Sequence, residues 1–205
     1  MHRMLRKLFG PSRKEIWQKL SSELDGRFVA GGFAKGDKIE ILHAEWKLTL
    51  DTYVVHAGNT HIPYTRMRAP FVNPDSFRFT IYRRGFFTDI AKWFGMQDIE
   101  IGDAQFDEAF VIKGTESSRL VALFSSARLR ELISGLREVH LTVKDSEGYF
   151  GPKFPPDVDE LCYHVPGRGK DVEQIKQLFE VFSETLDQLC RVGAAYEKAA
   201  EVELR

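Results

Sequence analysis

Residues 171–200 read DVEQIKQLFEVFSETLDQLCRVGAAYEKAA, and this stretch carries the longest helical pattern in the chain. Asp171 is a favourable N-cap residue, and apolar side chains then recur at alternating spacings of four and three residues. The stripe consists of Ile175, Phe179, Phe182, Leu186, Leu189, Gly193, Tyr196 and Ala200. This pattern predicts one continuous helix from Asp171 to about Lys198, with an apolar stripe that needs a covering surface.

Two surfaces could cover that stripe. A helix of about 28 residues is about 42 Å long, and a compact domain of this length has a diameter of about 43 Å, so the chain's own sheet is large enough. Small residues near the C-terminal end, such as Gly193 and Ala194, would also permit close approach of another helix. The sequence leaves open intramolecular packing and a homodimer, whose interface would be Ile175, Phe179, Phe182, Leu186, Leu189, Gly193 and Tyr196.

Upstream of this helix the chain alternates between apolar and polar side chains, which is the period of a β-strand. One face of the first long strand carries Trp46, Leu48, Leu50, Thr52 and Val54. Ile39 and Ile41 have the opposite parity, so a tight turn or bulge near His43–Glu45 is predicted. Gly58 and Asn59 predict a hairpin tip across which His56 and His61 could meet. Strands that follow one another so closely pair antiparallel.

Helical spacing and capping residues complete the prediction. Helices are expected over residues 13–25 and 86–96, and two more begin at the caps Thr115 and Ser126. Phe106 and Phe110–Ile112 are expected to open a strand that ends at Gly114. The predicted fold is α+β, with a curved, mainly antiparallel sheet of about seven or eight strands. Helices pack chiefly on one face of this sheet, and the long C-terminal helix forms the main layer.

Composition limits the class of protein. The chain has 205 residues, which suits a basic leader over residues 1–12 and a single α+β domain over residues 13–205. With 29 basic and 30 acidic residues it lacks the excess of positive charge that nucleic-acid binding requires, so no nucleic-acid partner is expected. Two cysteines without a short spacing are typical of reduced thiols in the cytoplasm. No apolar run is long enough for a membrane span, and no signal peptide is recognisable, so we expect a cytoplasmic protein.

Five segments of the chain are long enough to be specific. They read YTRMRAPF (64–71), FRFTIYRRG (77–85), GMQDIEIGD (95–103), FDEAFVIKG (106–114) and LDQLC (186–190). These strings resemble a family of uncharacterised bacterial proteins, and the similarity covers most of the chain after residue 15. The family has no assigned activity, so the resemblance implies no functional residues.

Reactive constellations are sparse in this sequence. The segment Pro166–Lys170 ends in Gly-Lys but lacks the first glycine and the final Ser or Thr of a phosphate-binding loop. His140, Cys162 and His164 share the parity opposite to the apolar side chains of two predicted strands. If those strands pair, the three side chains could form a zinc site, although half-buried histidines of a sheet are the simpler interpretation. No cofactor is predicted.

Three functions follow as hypotheses. The first is a non-catalytic interaction or scaffold protein, homodimeric through the C-terminal helix or bound to another protein. The second is a binder of a small apolar molecule in a cavity between the sheet and the last helix, which the sixteen phenylalanines suggest. The third is a metal-assisted enzyme built on His140, Cys162 and His164; on balance the sequence favours a protein that is not an enzyme.

Overall fold

The computed structural model describes residues 11–32, 36–85, 98–147, 153–167 and 169–204. These residues form one sheet of eight strands in the order β1-β2-β3-β4-β8-β7-β5-β6, and every neighbouring pair is antiparallel. The strands are β1 (Arg27–Val29), β2 (Lys38–His43), β3 (Trp46–Ala57), β4 (Thr60–Val72), β5 (Phe79–Arg83), β6 (Phe110–Gly114), β7 (His140–Lys144) and β8 (Val158–Pro166). The predicted antiparallel sheet is therefore confirmed, and Ala44 provides the expected tight turn between β2 and β3 with a φ of 49°.

Five helices accompany the sheet in the described part of the chain. They are α1 (Arg13–Glu23), α2 (Ala104–Ala109), α3 (Ser117–Phe124), α4 (Ala127–Gly135) and α5 (Val172–Arg191). Ser12 caps α1 in a reciprocal arrangement with Glu15, and Ser126 caps α4 as predicted. The α+β class, with a long C-terminal helix, is confirmed. No helix among the described residues has the length and apolar character needed to cross a membrane.

The last helix is shorter than the sequence pattern predicts. Asp171 caps it as expected, but it ends at Arg191 and not near Lys198. Gly193 adopts a left-handed φ of 71°, its N–H bonds the Cys190 carbonyl, and the Ala194 N–H bonds the Leu189 carbonyl. This pair of bonds is the Schellman motif, which terminates a helix where glycine permits the left-handed conformation. Tyr196 therefore lies beyond the helix, although it continues the spacing of the stripe.

Two shorter predictions were also wrong. Phe106 belongs to α2 and does not open the strand, because Asp103 caps that helix by accepting a hydrogen bond from the Phe106 N–H. The N-cap position of α3 is Glu116, while the Thr115 hydroxyl instead accepts a hydrogen bond from the Arg78 N–H. The predicted helix over residues 86–96 and most of the predicted basic leader lie outside the described residues.

The core lies between one face of the sheet and the helices. Leu48, Leu50 and Met67 on the sheet are fully buried, as are Phe182 and Leu186 on α5. Full burial of side chains of this size stabilises the fold by about 1.5–3 kcal/mol each. We call this side of the sheet the apolar face.

Candidate functional site

The other side of the sheet carries polar and charged side chains from four adjacent strands, and we call it the polar face. Antiparallel register places Arg66 opposite Asp51 and His164, and Arg68 opposite Thr49 and Cys162. The side chains of the polar face are Thr49, Asp51, Tyr53, Tyr64, Arg66, Arg68, His140, Thr142, Lys144, Glu160, Cys162 and His164. All residues that the sequence singled out for metal binding lie here.

The polar face is not open to water along its centre. Arg68 is only 1% exposed, and Glu160 and Cys162 are fully buried. Part of the cover comes from the segment that follows β7, because Glu147 extends its carboxylate to the Arg68 guanidinium at 3.2 Å. A large charged side chain is rarely buried unless it is paired, so the pairing partners of Arg68 decide what this face can do.

Six charged side chains pair with one another in this buried region, and we call them the ionic layer: Asp51, Arg66, Arg68, Lys144, Glu147 and Glu160. Arg66 binds both oxygens of Asp51 at 2.8 Å, in the two-pronged geometry that arginine favours. Arg68 contacts Asp51 at 2.7 Å and lies 3.9 Å from Glu160, which Lys144 approaches at 3.3 Å. Three cations face three carboxylates, so the layer balances its own charge without a charged ligand.

Burial shifts the protonation equilibria within this layer. The pKa of Glu160 is raised because burial disfavours its charged form more than Lys144 and Arg68 stabilise it. Burial also raises the pKa of the Cys162 thiol to about 12, with a further contribution from the Glu160 charge. Because the thiolate is the reactive form of cysteine, Cys162 is unsuited to nucleophilic catalysis at neutral pH.

The two histidines of the predicted metal set meet, but they bind each other. His140 Nδ1 lies 2.9 Å from His164 Nε2, and the two rings are perpendicular with centroids 4.4 Å apart. Burial lowers the pKa of His164 to about 3, and the charges of His140, Lys144 and Arg66 add to that effect. Among the described residues, no group of three or more His, Cys, Asp and Glu side chains could hold a metal ion. Cys162 thus does not complete a metal site with the two histidines.

The predicted interface of the last helix lies inside the protein over most of its length. Ile175, Phe179, Phe182, Leu186 and Leu189 are between 0% and 5% exposed and belong to the core beneath the apolar face. Of the remaining two predicted positions, Gly193 is exposed and Tyr196 is 55% exposed. A second copy of the chain, or an apolar ligand above the sheet, would have to displace α5 before it could contact the buried stripe.

Exposed apolar side chains occur elsewhere, at the end of the β3–β4 hairpin. β2 pairs with β3 only as far as Leu50, and β8 pairs with β4 only as far as Tyr64. The hairpin continues for four further residue pairs, from Val54 opposite Pro63 to Ala57 opposite Thr60. We call residues 54–63 the arm; it extends about 13 Å at the usual rise of a β-strand.

The arm displays apolar side chains on both of its faces. Val54 is 49% exposed and Val55 is 38% exposed, and they point to opposite sides because they are consecutive residues of a strand. Gly58 has a φ of 59° and occupies the first central position of the two-residue turn. As predicted, His56 and His61 meet across the tip, with their Nδ1 atoms 2.6 Å apart. The sequence signalled the turn but not that both neighbouring strands end before it.

Comparisons of the chain with protein-family models, with curated proteins and with solved structures find no match. The resemblance to a bacterial family therefore stays a prediction.

Proposed function

We propose that the protein is a non-catalytic interaction protein and that it associates with a second copy of itself through the arm. The observation that carries this proposal is the pair of exposed valines on a two-stranded ribbon that no other described strand supports. A two-stranded hairpin is only marginally stable in water. Its exposed apolar side chains would gain from a partner.

The backbone of the arm is arranged to accept such a partner. Ala57 and Thr60 flank the two-residue turn and form a hydrogen-bonded pair. From there along the ribbon, pairs without and with backbone hydrogen bonds alternate, so His56 and Val54 belong to pairs without them. His56 and Val54 consequently direct their N–H and C=O groups outward, on the side of β3 where the described pairing with β2 stops at Leu50. No described strand pairs with this edge of the arm, and an unpaired strand edge is a template for pairing with another strand.

A second copy fits this edge because antiparallel pairing of identical strands has twofold symmetry. Val54 and His56 of one chain would face His56 and Val54 of the other, so every donor meets an acceptor. The free edge is short, and the contact should bury less than about 1,200 Å², which is typical of weak and reversible association. Concentration should therefore control the oligomeric state.

The polar face supports the non-catalytic part of the proposal. The ionic layer pairs its six charges internally, and burial keeps the Cys162 thiol protonated. His140 and His164 hydrogen-bond each other in a half-buried position, with His164 held neutral by its lowered pKa. The six charges lie within ion-pair distance of one another and the two histidines contact each other, so a reacting molecule would have to displace these contacts.

Sedimentation velocity over a range from micromolar to millimolar concentration tests the proposal. The wild-type mass should rise from monomer towards dimer, while Val54→Lys should stay monomeric because an edge lysine opposes strand pairing. Val121→Lys is the matched control, since Val121 is a 38% exposed valine on α3, far from the arm in sequence. A wild-type protein that stays monomeric throughout, or a Val54→Lys variant that dimerises like wild type, would refute the proposal.

A further inference from the structure

The tip of the arm holds two imidazoles in a fixed relation. His56 and His61 are opposite residues of β3 and β4, one pair away from the residues that flank the turn. Their Nδ1 atoms are 2.6 Å apart, and their rings are nearly perpendicular, at 87°, with centroids 4.6 Å apart. Both residues are exposed, so an ion in solution can reach them without any rearrangement of the core.

The strand pairing explains why these side chains converge. Because Ala57 and Thr60 form a hydrogen-bonded pair, His56 and His61 form the next pair, which exchanges no backbone hydrogen bonds. Pairs of that kind have Cα atoms only about 4.5 Å apart, with side chains close together. The two-residue turn at Gly58 and Asn59 fixes this register, so the histidines are held near each other by the backbone.

We infer from this geometry that His56 and His61 form a bidentate binding site for a divalent first-row transition-metal ion such as Zn²⁺, Ni²⁺ or Cu²⁺. Imidazole nitrogen is a preferred ligand of these three ions. Zinc–nitrogen bonds are about 2.0–2.1 Å long, which places two nitrogens of a tetrahedral site about 3.3 Å apart. The present 2.6 Å separation needs to open by less than about 1 Å.

Binding needs only a redistribution of one proton. In the neutral pair, one Nδ1–H donates a hydrogen bond to the lone pair of the other Nδ1. When an ion enters, that ring transfers its proton through water to its own Nε2, and both Nδ1 lone pairs then face the metal. Each imidazole keeps one N–H throughout, so a neutral pair releases no net proton.

A second pair of neighbouring histidines among the described residues shows why the tip is the better site. His140 and His164 are also close together, but His140 is only 6% exposed and His164 lies near the cations Lys144 and Arg66. These positive charges help to lower the pKa of His164, and they would equally repel a metal ion. The exposed tip offers two nitrogens, and water can fill the remaining coordination positions of the ion.

Isothermal titration calorimetry with ZnCl₂ and with NiCl₂, on protein first treated with a chelator, tests the inference. Wild type should bind one ion per chain, and His56→Asn and His61→Asn should each weaken binding by about tenfold or more, because either change leaves a single ligand. His43→Asn is the control, since it removes a histidine that instead contacts Asp187 at 2.9 Å. Its affinity should equal that of wild type.

The metal site is separable from the proposed association. At a protein concentration where sedimentation shows only monomer, wild type should still bind one Zn²⁺ per chain, because the two histidines of one chain suffice. Paramagnetic Ni²⁺ should also broaden the NMR signals of His56 and His61 together before those of any other histidine. Equal affinity of wild type, His56→Asn and His61→Asn, or the absence of binding by wild type, would overturn the inference.

Discussion

The two faces of the sheet are both buried, yet they are buried by different means. On the apolar face, side chains such as Leu50 and Met67 pack directly against helices. On the polar face, Arg68 and Glu160 are equally inaccessible, but each is surrounded by groups of opposite charge. Strand alternation therefore shows which residues share a face, and it does not show whether that face meets water.

The difference matters because the two kinds of burial respond differently to substitution. Hydrophobic packing is non-directional, so its contribution scales with the apolar area that is removed from water. A buried ion pair contributes little net stability, but removal of one partner leaves the other buried and uncompensated. Single substitutions on the two faces can therefore lower the free energy of unfolding by similar amounts for different physical reasons.

Phe182→Ala and Arg68→Met should both lower the free energy of unfolding strongly. Phe182 is fully buried, and its loss should cost about 4 kcal/mol through lost transfer energy and a residual cavity. Arg68→Met keeps most of the side-chain volume, yet it should cost about 3 kcal/mol because Glu147 and Asp51 lose a buried partner. Urea denaturation followed by circular dichroism measures both values.

Arg128→Met is the matched control for the arginine substitution. The Arg128 side chain is 55% exposed and pairs with Glu180 at the surface, so its loss should change the unfolding free energy by less than about 1 kcal/mol. An Arg68→Met variant that unfolds as late in urea as Arg128→Met would show that the polar face is effectively solvated.

Lowering the pH should destabilise the polar face through His164. Its pKa falls from 6.5 to about 3 on folding, so its contribution to stability is complete above pH 6.5 and is lost as the pH falls towards 3. Between pH 7 and pH 5, wild type should therefore lose more unfolding free energy than His164→Asn. Urea titrations of the two proteins at both pH values measure this difference.

Glu160 should change the free energy of unfolding in the opposite direction when the pH is lowered. Its pKa is raised in the folded protein, so its contribution is complete below its ordinary value of 4.5 and is lost as the pH rises through the folded value. Relative to Glu160→Gln, wild type should accordingly become more stable as the pH falls. If His164 and Glu160 both stabilised, or both destabilised, the protein as the pH falls, the arrangement of charges described above would be contradicted.

Local signals in the sequence predicted several helix starts and turns correctly. Asp171 caps the last helix, and Gly58 with Asn59 makes the turn that joins β3 to β4. The end of the last helix was predicted wrongly. The apolar spacing continues through Tyr196, but the helix ends at Arg191 because Gly193 adopts a left-handed conformation. Glycine at that position was the available signal, and the unbroken periodicity outweighed it.

The candidate sites depended on contacts between distant parts of the chain. The contact of His56 with His61 was predictable because a single turn brings the two residues together. The contact of His140 with His164 was predictable from the parity of two strands. The burial of Arg68 was not predictable, because Glu147 lies 79 residues away and reaches it from a segment without periodic pattern. No local rule specifies such a contact.

Thiol labelling of Cys162 tests most directly whether the polar face is sealed. Cys162 and Cys190 are the only cysteines, so in a Cys190→Ser background every reaction with a maleimide reports Cys162. The buried, protonated thiol should react only as fast as the protein unfolds, and addition of urea should accelerate labelling sharply. Labelling in the absence of urea at the rate of the unfolded chain would contradict a sealed polar face and show that small molecules reach it.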